Sequence, residues 1–448
     1  MSLENNKTGN TGLGDETQKS IERNIWMFWF PLLTTWTLMG FENPITSGLV
    51  ARLPDAKENL AAFGVAFALG LIIESPIINI LSAVASLCKN KTSYTVSRNF
   101  AYLLIFLVTL THGIILIPSV FEFISLDLIG LSQSISDLTY DSVLYLFLWP
   151  PMIGIRRFYQ GVMVADGRTK QIAVATTYRL VTVLGLAFYF VNFTSLSGAS
   201  AGGLTLSIAV TVEALFIYFA SIPSQEIFMN NEKEDGPELT TAAFATYYFP
   251  LAQTAFIGLA FQPMLTFFMV RSVNSIDALA AFPVANGFSF LFRTIGLSIT
   301  EVYLVFFKKG KEYVKALKRI TVKLTLVTFG TYLVIAFTPA ANLILIHVLG
   351  VSEQLSGVAL GAVKVFAPIT AGTIILSYYR AQVMLWSKTY HLSRGTILEV
   401  VSALLFVWLF IDVLRMGGAV SAALSLVLSR AIQIAFVYLM LKREDKLA

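Results

Sequence analysis

LAAFGVA at residues 60–66 returns as LAAFPVA at residues 279–285, six of the seven residues identical at a shift of 219. The match runs outward without a gap: Phe30-Pro31-Leu32 falls on Phe249-Pro250-Leu251, Pro44 on Pro263 and Arg52 on Arg271. A shift of 220 aligns the far ends of the two copies, Gly198-Ala199 on Gly418-Ala419, Leu204 on Leu424, Phe216 on Phe436 and Tyr218 on Tyr438. Single matches come easily in a chain rich in Ala, Leu and Phe. Two nearly equal offsets bracketing each half do not, so the halves are copies of one unit.

The unit is a membrane one. The 448 residues are 56% hydrophobic and only 13% charged, where an average soluble protein is roughly 25% charged. Mean hydropathy is +0.71. Too few polar groups exist to clothe a water-facing surface, which excludes soluble enzyme folds, disorder and nucleic-acid partners; lipid is the surrounding medium. Apolar stretches long enough to cross it fall near 25–50, 59–87, 100–119, 142–165, 171–193, 202–222, 243–270, 278–307, 320–349, 356–386, 396–413 and 418–441. Each must be helical, because lipid offers no partner to an open backbone amide or carbonyl. Pro118 and Pro339 make the ends of the third and ninth stretches the least defined. The expected fold is an all-α polytopic membrane protein of 12 transmembrane helices in two six-helix repeats. Six is an even number, so both copies enter from the same side and are parallel repeats, with a central cleft between an N-lobe (25–222) and a C-lobe (243–441).

Loop charges set the expected orientation. On one side lie twenty bases, among them Lys89, Lys91, Arg168, Lys170 and the run from Lys308 to Arg319; the other side has only Arg52, Lys57, Arg271 and Arg415. The tails 1–24 and 442–448 and the polar linker 223–242 are therefore expected in the cytoplasm, in a plasma or inner membrane. Residues 1–24 are polar and offer no signal-peptide core. The linker's acidic cluster, Glu232, Glu234, Asp235 and Glu238, reads as a solvated face. A single cysteine, Cys88, excludes an internal disulfide and Cys-built metal sites, and three histidines make a His-built site improbable.

Eight bases remain inside the spans, with the acids Glu42, Glu74, Glu213, Glu301 and Glu399. A charge at the centre of a membrane helix costs about 2.5–3.5 kcal/mol on insertion scales, so such residues tend to face a wet cavity or each other. Glu74 and Arg293 lie near mid-span and are equivalent at the 219 shift; Arg179 and Glu399 are equivalent at the 220 shift. Each half thus carries an acid and a base at matching places with signs reversed. One expectation is pairing across the cleft, latching one conformation; the other is separate pairing inside each lobe. Glu42, two residues before Pro44, is a candidate for binding a coupling H+ or Na+. Lys364 and Arg380 in the tenth span are further substrate-binding or gating candidates, with Arg156, Glu213, Glu301 and His112 ranked below them. Arg156 and Arg157, being adjacent, cannot face one cleft together. No HExxH, GxSxG, Walker A or GxGxxG pattern occurs, so the chain reads as no enzyme, without a cofactor, drawing on an ion or solute gradient.

Several motifs resemble those of the multidrug and toxic compound extrusion (MATE) transporters of the multidrug/oligosaccharidyl-lipid/polysaccharide flippase (MOP) superfamily: Phe41-Glu42-Asn43-Pro44 with Phe261-Gln262-Pro263 in the repeat, Arg157-Phe158-Tyr159-Gln160-Gly161-Val162-Met163 followed by Asp166-Gly167-Arg168-Thr169, and Gly417-Gly418-Ala419. The resemblance spans about residues 25–441 and implies a monomer exporting a small organic solute by rocker-switch antiport. It also implies an acid in the first helix for cation coupling, for which Glu42 is the nearest residue. Two stretches, Leu60 to Ala66 and Gln262 to Arg271, are more similar to the progressive ankylosis proteins, which export citrate-, pyrophosphate- or nucleotide-type anions. An excess of bases over acids in the spans leans the same way. Organic-anion export stands slightly ahead of cationic multidrug efflux, with lipid-linked saccharide flipping third and a membrane-embedded enzyme or non-transporting scaffold as the reading from another class.

Overall fold

The computed structural model describes residues 10–232, 238–273, 275–348 and 353–445. Glu234 and Asp235 of the linker cluster, and Lys7, Lys233 and Lys446 among the loop bases, lie outside them. Among the described residues, twelve helical passages cross the molecule. In the first half these are α1 (Asn10–Val50), α2 (Ala56–Glu74, continued through Ser75–Ile77 into Ile80–Leu87), α3 (Lys91–Ile115), α4 (Gln133–Tyr145 with Trp149–Ala165), α5 (Lys170–Phe193) and α6 (Gly198–Asn230). The second half has α7 (Thr241–Val270), α8 (Ser275–Ser298, Thr300–Phe306 and Phe307–Lys309), α9 (Lys311–Ala336), α10 (Glu353–Val365 with Ala367–Leu385), α11 (Tyr390–Trp408 with Leu409–Val413) and α12 (Gly418–Arg443).

The duplication is visible bond by bond. Thr169 Oγ1 donates to the Phe28 carbonyl at 2.9 Å, and Thr389 Oγ1, its counterpart, donates to the Tyr247 carbonyl at 2.6 Å. His112 Nε2 lies 3.0 Å from the Val143 carbonyl; Tyr332, the residue 220 further on, donates to the Val363 carbonyl at 2.8 Å. Both halves break at the same place, after Tyr145 in α4 and after Val365 in α10, and α10 bends there by 41°. Prolines follow each break, Pro150 and Pro368, where a missing N–H is tolerated in a first turn.

Caps and prolines place the helix ends. Asn90 Oδ1 accepts from the Ser93 amide and Ser93 Oγ from the Asn90 amide, both at 3.0 Å, closing the start of α3. The third and ninth passages end earlier than their apolar runs, at Ile115 and Ala336. Pro118 and Pro339 start new short helices (Pro118–Glu122 and Pro339–Leu343) instead, because the residue before a proline is driven to extended backbone: Ile117 has ψ 122° and Thr338 ψ 169°. The opposite happens at the linker, where α6 runs through Pro223 to Asn230, making its first residues helical. Helices pack closest at glycine: a methyl on Gly161 of α4 would sit 2.8 Å from the Leu81 carbonyl of α2, and one on Gly296 of α8 2.8 Å from the Ile374 amide of α10.

Candidate functional site

One face of α2 and the equivalent face of α8 are where the lobes meet. On α2 that face holds Ala61, Gly64, Ala68, Ile72, Pro76, Asn79 and Ser82; on α8 it holds Ala280, Pro283, Gly287, Leu291, Ser298 and Glu301, at helical spacing. Towards the loops rich in Lys and Arg (the basic face) both are engaged by the opposite lobe. Ser82 Oγ donates to Glu301 Oε1 at 3.1 Å, and these two residues are each other's repeat equivalents, so the pair sits on the pseudo-twofold axis. Trp29 Nε1 donates to Ser298 Oγ at 2.9 Å, and Tyr248, the equivalent of Trp29, donates to the Pro76 carbonyl at 2.6 Å. Asn79 Nδ2 donates to the Leu251 carbonyl at 2.8 Å while its Oδ1 accepts from Arg380 Nη2 at 3.0 Å. A twofold relating the two copies requires such reciprocal contacts on its axis.

Towards the other face the same surfaces are open. Ala61, Gly64 and Ala68, and Ala280, Pro283 and Gly287, are exposed, and a methyl built on Gly64 or Gly287 meets nothing within 4 Å. The apolar core repeats the pattern. The N-lobe core continues without interruption into Tyr248, Leu251, Val302 and Ile374 at the basic end of the C-lobe, whereas the rest of the C-lobe has a core of its own around Phe288, Tyr332 and Phe366. The lobes thus form a V, shut at the basic face.

Lys308, at the end of α8, tightens that closure: its Nζ donates to the Ser86 carbonyl at 2.6 Å, in the last turn of α2, where carbonyls lack helical partners and the dipole favours a cation. Next to it Cys88 is buried, and burial pushes its thiol up to about 12, so it is protonated and shielded at neutral pH. Being the sole cysteine, it reports on this face. Lys308→Ala, by removing a charged hydrogen bond of ~1.5 kcal/mol, should raise the maleimide-labelling rate of Cys88 roughly tenfold; a rate equal to wild type would mean that Lys308 does not hold the lobes together.

Inside the N-lobe, four helices meet on a chain of charges. Arg179 of α5 grips Glu42 of α1 as a fork, Nε to Oε1 at 2.7 Å with Nη2 on Oε2, and its Nη1 donates to Glu213 Oε2 of α6 at 3.1 Å. Glu213 also takes Arg156 Nη1 of α4 at 2.6 Å and Thr176 Oγ1 at 2.9 Å. All five side chains are buried. Arg157 turns away, as adjacency demands, and lies over the Trp36 ring at 5.7 Å. Glu74 is buried nearby, Oε2 without a hydrogen bond, within electrostatic reach of Arg156, Arg157 and Arg179. Three acids face three bases, so this lobe is balanced.

The C-lobe keeps the frame and changes the charges. Gln433 Nε2 donates to Thr396 Oγ1 at 3.1 Å, repeating the Thr176–Glu213 contact with a neutral amide. Glu399, standing where Arg179 stands, accepts from Arg430 Nε of α12 at 2.6 Å. Arg293 Nη1 donates to Asn286 Oδ1 at 3.1 Å, its guanidinium lies over Phe290 at 5.9 Å, and its Nε has no hydrogen-bond partner.

Pairing of Glu74 with Arg293, or of Arg179 with Glu399, across the cleft does not occur; each charge pairs or rests within its own lobe. Helical geometry explains this. Glu74 and Arg293 lie two residues from Ile72 and Leu291, which is about 200° round the helix from the cleft face. Lys364 also leaves the site, exposed near the open end of α10 over the Phe337 ring. Arg380 and Glu301 belong to the lobe interface, and His112 fixes α3 to α4. Thr176, Asn79 and Asn286 escaped the sequence reading, and Arg430 counted there among the eight span bases but not as a site candidate; the spacing of Thr176 to Arg179 on one helix face was the available signal for the first.

No protein-family model matches the chain, and no curated protein matches it in sequence. Solved structures do. A mutant of the Vibrio cholerae MATE transporter VcmN superimposes with a TM-score of 0.75 at 15% identity, covering 96% of this chain and 99% of that one. The fold is that of the MATE transporters. A MATE in its straight conformation gives a TM-score of 0.77 at 14% identity over 95% of this chain and 97% of its own. A MOP superfamily transporter from Pyrococcus furiosus, described as having a binding pocket of reverse polarity that suggests a different function, gives 0.70 at 13% identity with the same coverage. The MATE fold has two six-helix lobes, which is the arrangement built up above.

Proposed function

We propose that the chain is a secondary active transporter, acting as a monomer, that exports an organic solute through the cleft between its lobes by alternating access. The carrying observation is the one-sided closure. The axis-centred contacts around Ser82 and Glu301 shut one end, while stripes of Ala, Gly and Pro on α2 and α8 stand open at the other. Small residues permit close helix approach in lipid, so rocking the lobes would shut these stripes and open the basic end. With the basic loops in the cytoplasm, the present conformation is outward-facing.

Coupling falls to the N-lobe. The seam between α1 and α5, lined by Leu38, Met39, Glu42, Thr176, Arg179, Leu180 and Val183, has about 10 Å3 free, space for no more than a water. A proton fits there. Sodium would sit beside the guanidinium of Arg179 and near that of Arg156, so H+ is the ion the charges support, taken by Glu42 on release from Arg179. The solute class they support is an organic anion, since the balanced N-lobe needs no further charge and the C-lobe is one acid short.

Proteoliposomes with an imposed proton gradient test this. Citrate or pyrophosphate should move faster than in protein-free vesicles and collapse with the gradient. Ethidium movement alone would replace the anion reading with cationic drug efflux, flipping of a lipid-linked saccharide alone would make the chain a flippase, and no movement of any compound would overturn transport.

A further inference from the structure

We propose that Arg293 is the oxyanion-binding residue of the C-lobe, receiving a carboxylate or phosphate group of the transported solute, an inference that rests on the transport reading. The two copies carry different charges at equivalent places. Where the N-lobe has Glu42 and Glu213, the C-lobe has Phe261 and Gln433; where it has Glu74, the C-lobe has Arg293. The interior of the C-lobe therefore holds Arg293 and Arg430 against Glu399 alone, and Glu399 is taken by Arg430 at 2.6 Å. Arg293 is left with a neutral amide, an aromatic face and an open Nε. Glu399 reaches Arg293 electrostatically but bonds only Arg430, and two guanidinium groups sharing one carboxylate at mid-membrane leave an unbalanced charge, while the fork of Arg293 matches a carboxylate or phosphate in two-point contact.

The surroundings suit such a guest. Asn286, Ser289 and Arg293 share one face of α8 at spacings of three and four residues. Ser289 is fully buried beside Tyr332, whose hydroxyl is committed to the Val363 carbonyl. Arg293 itself is only partly buried; it stands about 200° round α8 from the face on which Leu291 meets Gly40 of α1, so the anionic group would reach it inside the C-lobe, behind the cleft wall. The lobes then divide the work. The N-lobe handles the proton on a balanced set of charges, and the C-lobe handles the anion on an unbalanced one.

Binding to the full-length protein in nanodiscs, read by calorimetry with citrate, pyrophosphate and inorganic phosphate as probes, decides the matter without any transport step. Wild type should bind citrate or pyrophosphate, Arg293→Gln should weaken binding at least roughly tenfold, and Arg293→Lys, which keeps charge but loses the fork, should fall between. Lys364→Gln, which removes an exposed span base, should bind as wild type, and tetraethylammonium should not compete. Anion binding unchanged in Arg293→Gln, or lost equally in Lys364→Gln, overturns the assignment. If Arg293→Gln fails to fold, Asn286→Ala serves in its place, with a several-fold loss expected and none overturning it. Anion binding that depends on Arg293 without transport would sink the transport reading alone; citrate transport indifferent to Arg293 would sink only this one.

Discussion

Arg179→Ala should abolish gradient-driven transport and lower stability by about 3–5 kcal/mol, the range for breaking a buried ion pair from one side. The cost is large because one guanidinium serves two carboxylates on different helices, Glu42 through a two-point fork and Glu213 through a single bond. Its loss strands Glu42 in an apolar seam and leaves Glu213 to Arg156 and Thr176. Arg179→Lys should recover little, because an ammonium cannot make the fork. The double change Arg179→Met with Glu42→Gln separates folding from function: it removes both charges together, which is often near-neutral for stability, yet it also removes the proton acceptor. We expect thermal unfolding in nanodiscs to return most of the way to wild type and transport to stay at the vesicle background. A single Arg179→Ala that melts within ~0.5 kcal/mol of wild type would show that the chain of contacts does not join α1, α5 and α6.

The part of this arrangement legible in the sequence is the part that lipid enforces. Backbone satisfaction makes every long apolar run a helix, an even number of helices per copy makes the copies parallel, and the Ser82–Glu301 pair marks the twofold that relates them. Charges at mid-span announced themselves by rarity, and Glu42, Arg179 and Glu213 did converge. Direction was not legible. Glu74 and Arg293 matched in depth and in the repeat, but the face on which each stands is fixed by which side of α2 and α8 meets the other lobe, and both sides of these helices are apolar. Lys364 misled because it stands on the outer face of a helix segment whose other face, Ala359, Ala362 and Val363, is buried in the C-lobe core. Pro118 and Pro339 read as interruptions of a span, whereas they begin separate short helices. The interface bonds of Asn79, Pro76 and Leu251 run largely through carbonyl oxygens, to which residue identity is blind.

Cross-linking the axis pair should stop transport outright. In a Cys88→Ser background, Ser82→Cys combined with Glu301→Cys places two thiols where a hydroxyl and a carboxylate now meet at 3.1 Å. A short bis-methanethiosulfonate reagent would tie α2 to α8 at the one place where every rocking motion must separate them. Because the two residues are equivalent in the repeats, the tie falls on the pseudo-twofold and strains neither lobe more than the other. Binding at the open end should survive, since the stripes at Ala61–Ala68 and Ala280–Gly287 face away from the tie, while turnover should drop to the protein-free rate and return on adding reductant. The uncross-linked double variant supplies the control: it lacks one hydrogen bond to a buried carboxylate, a loss of about 1.5–3 kcal/mol, and so should favour opening of the basic face, with turnover changed but not lost. Full transport through the cross-linked protein would mean that solute passes without separating the lobes at Ser82 and Glu301, and a rocking cleft could then not be the route.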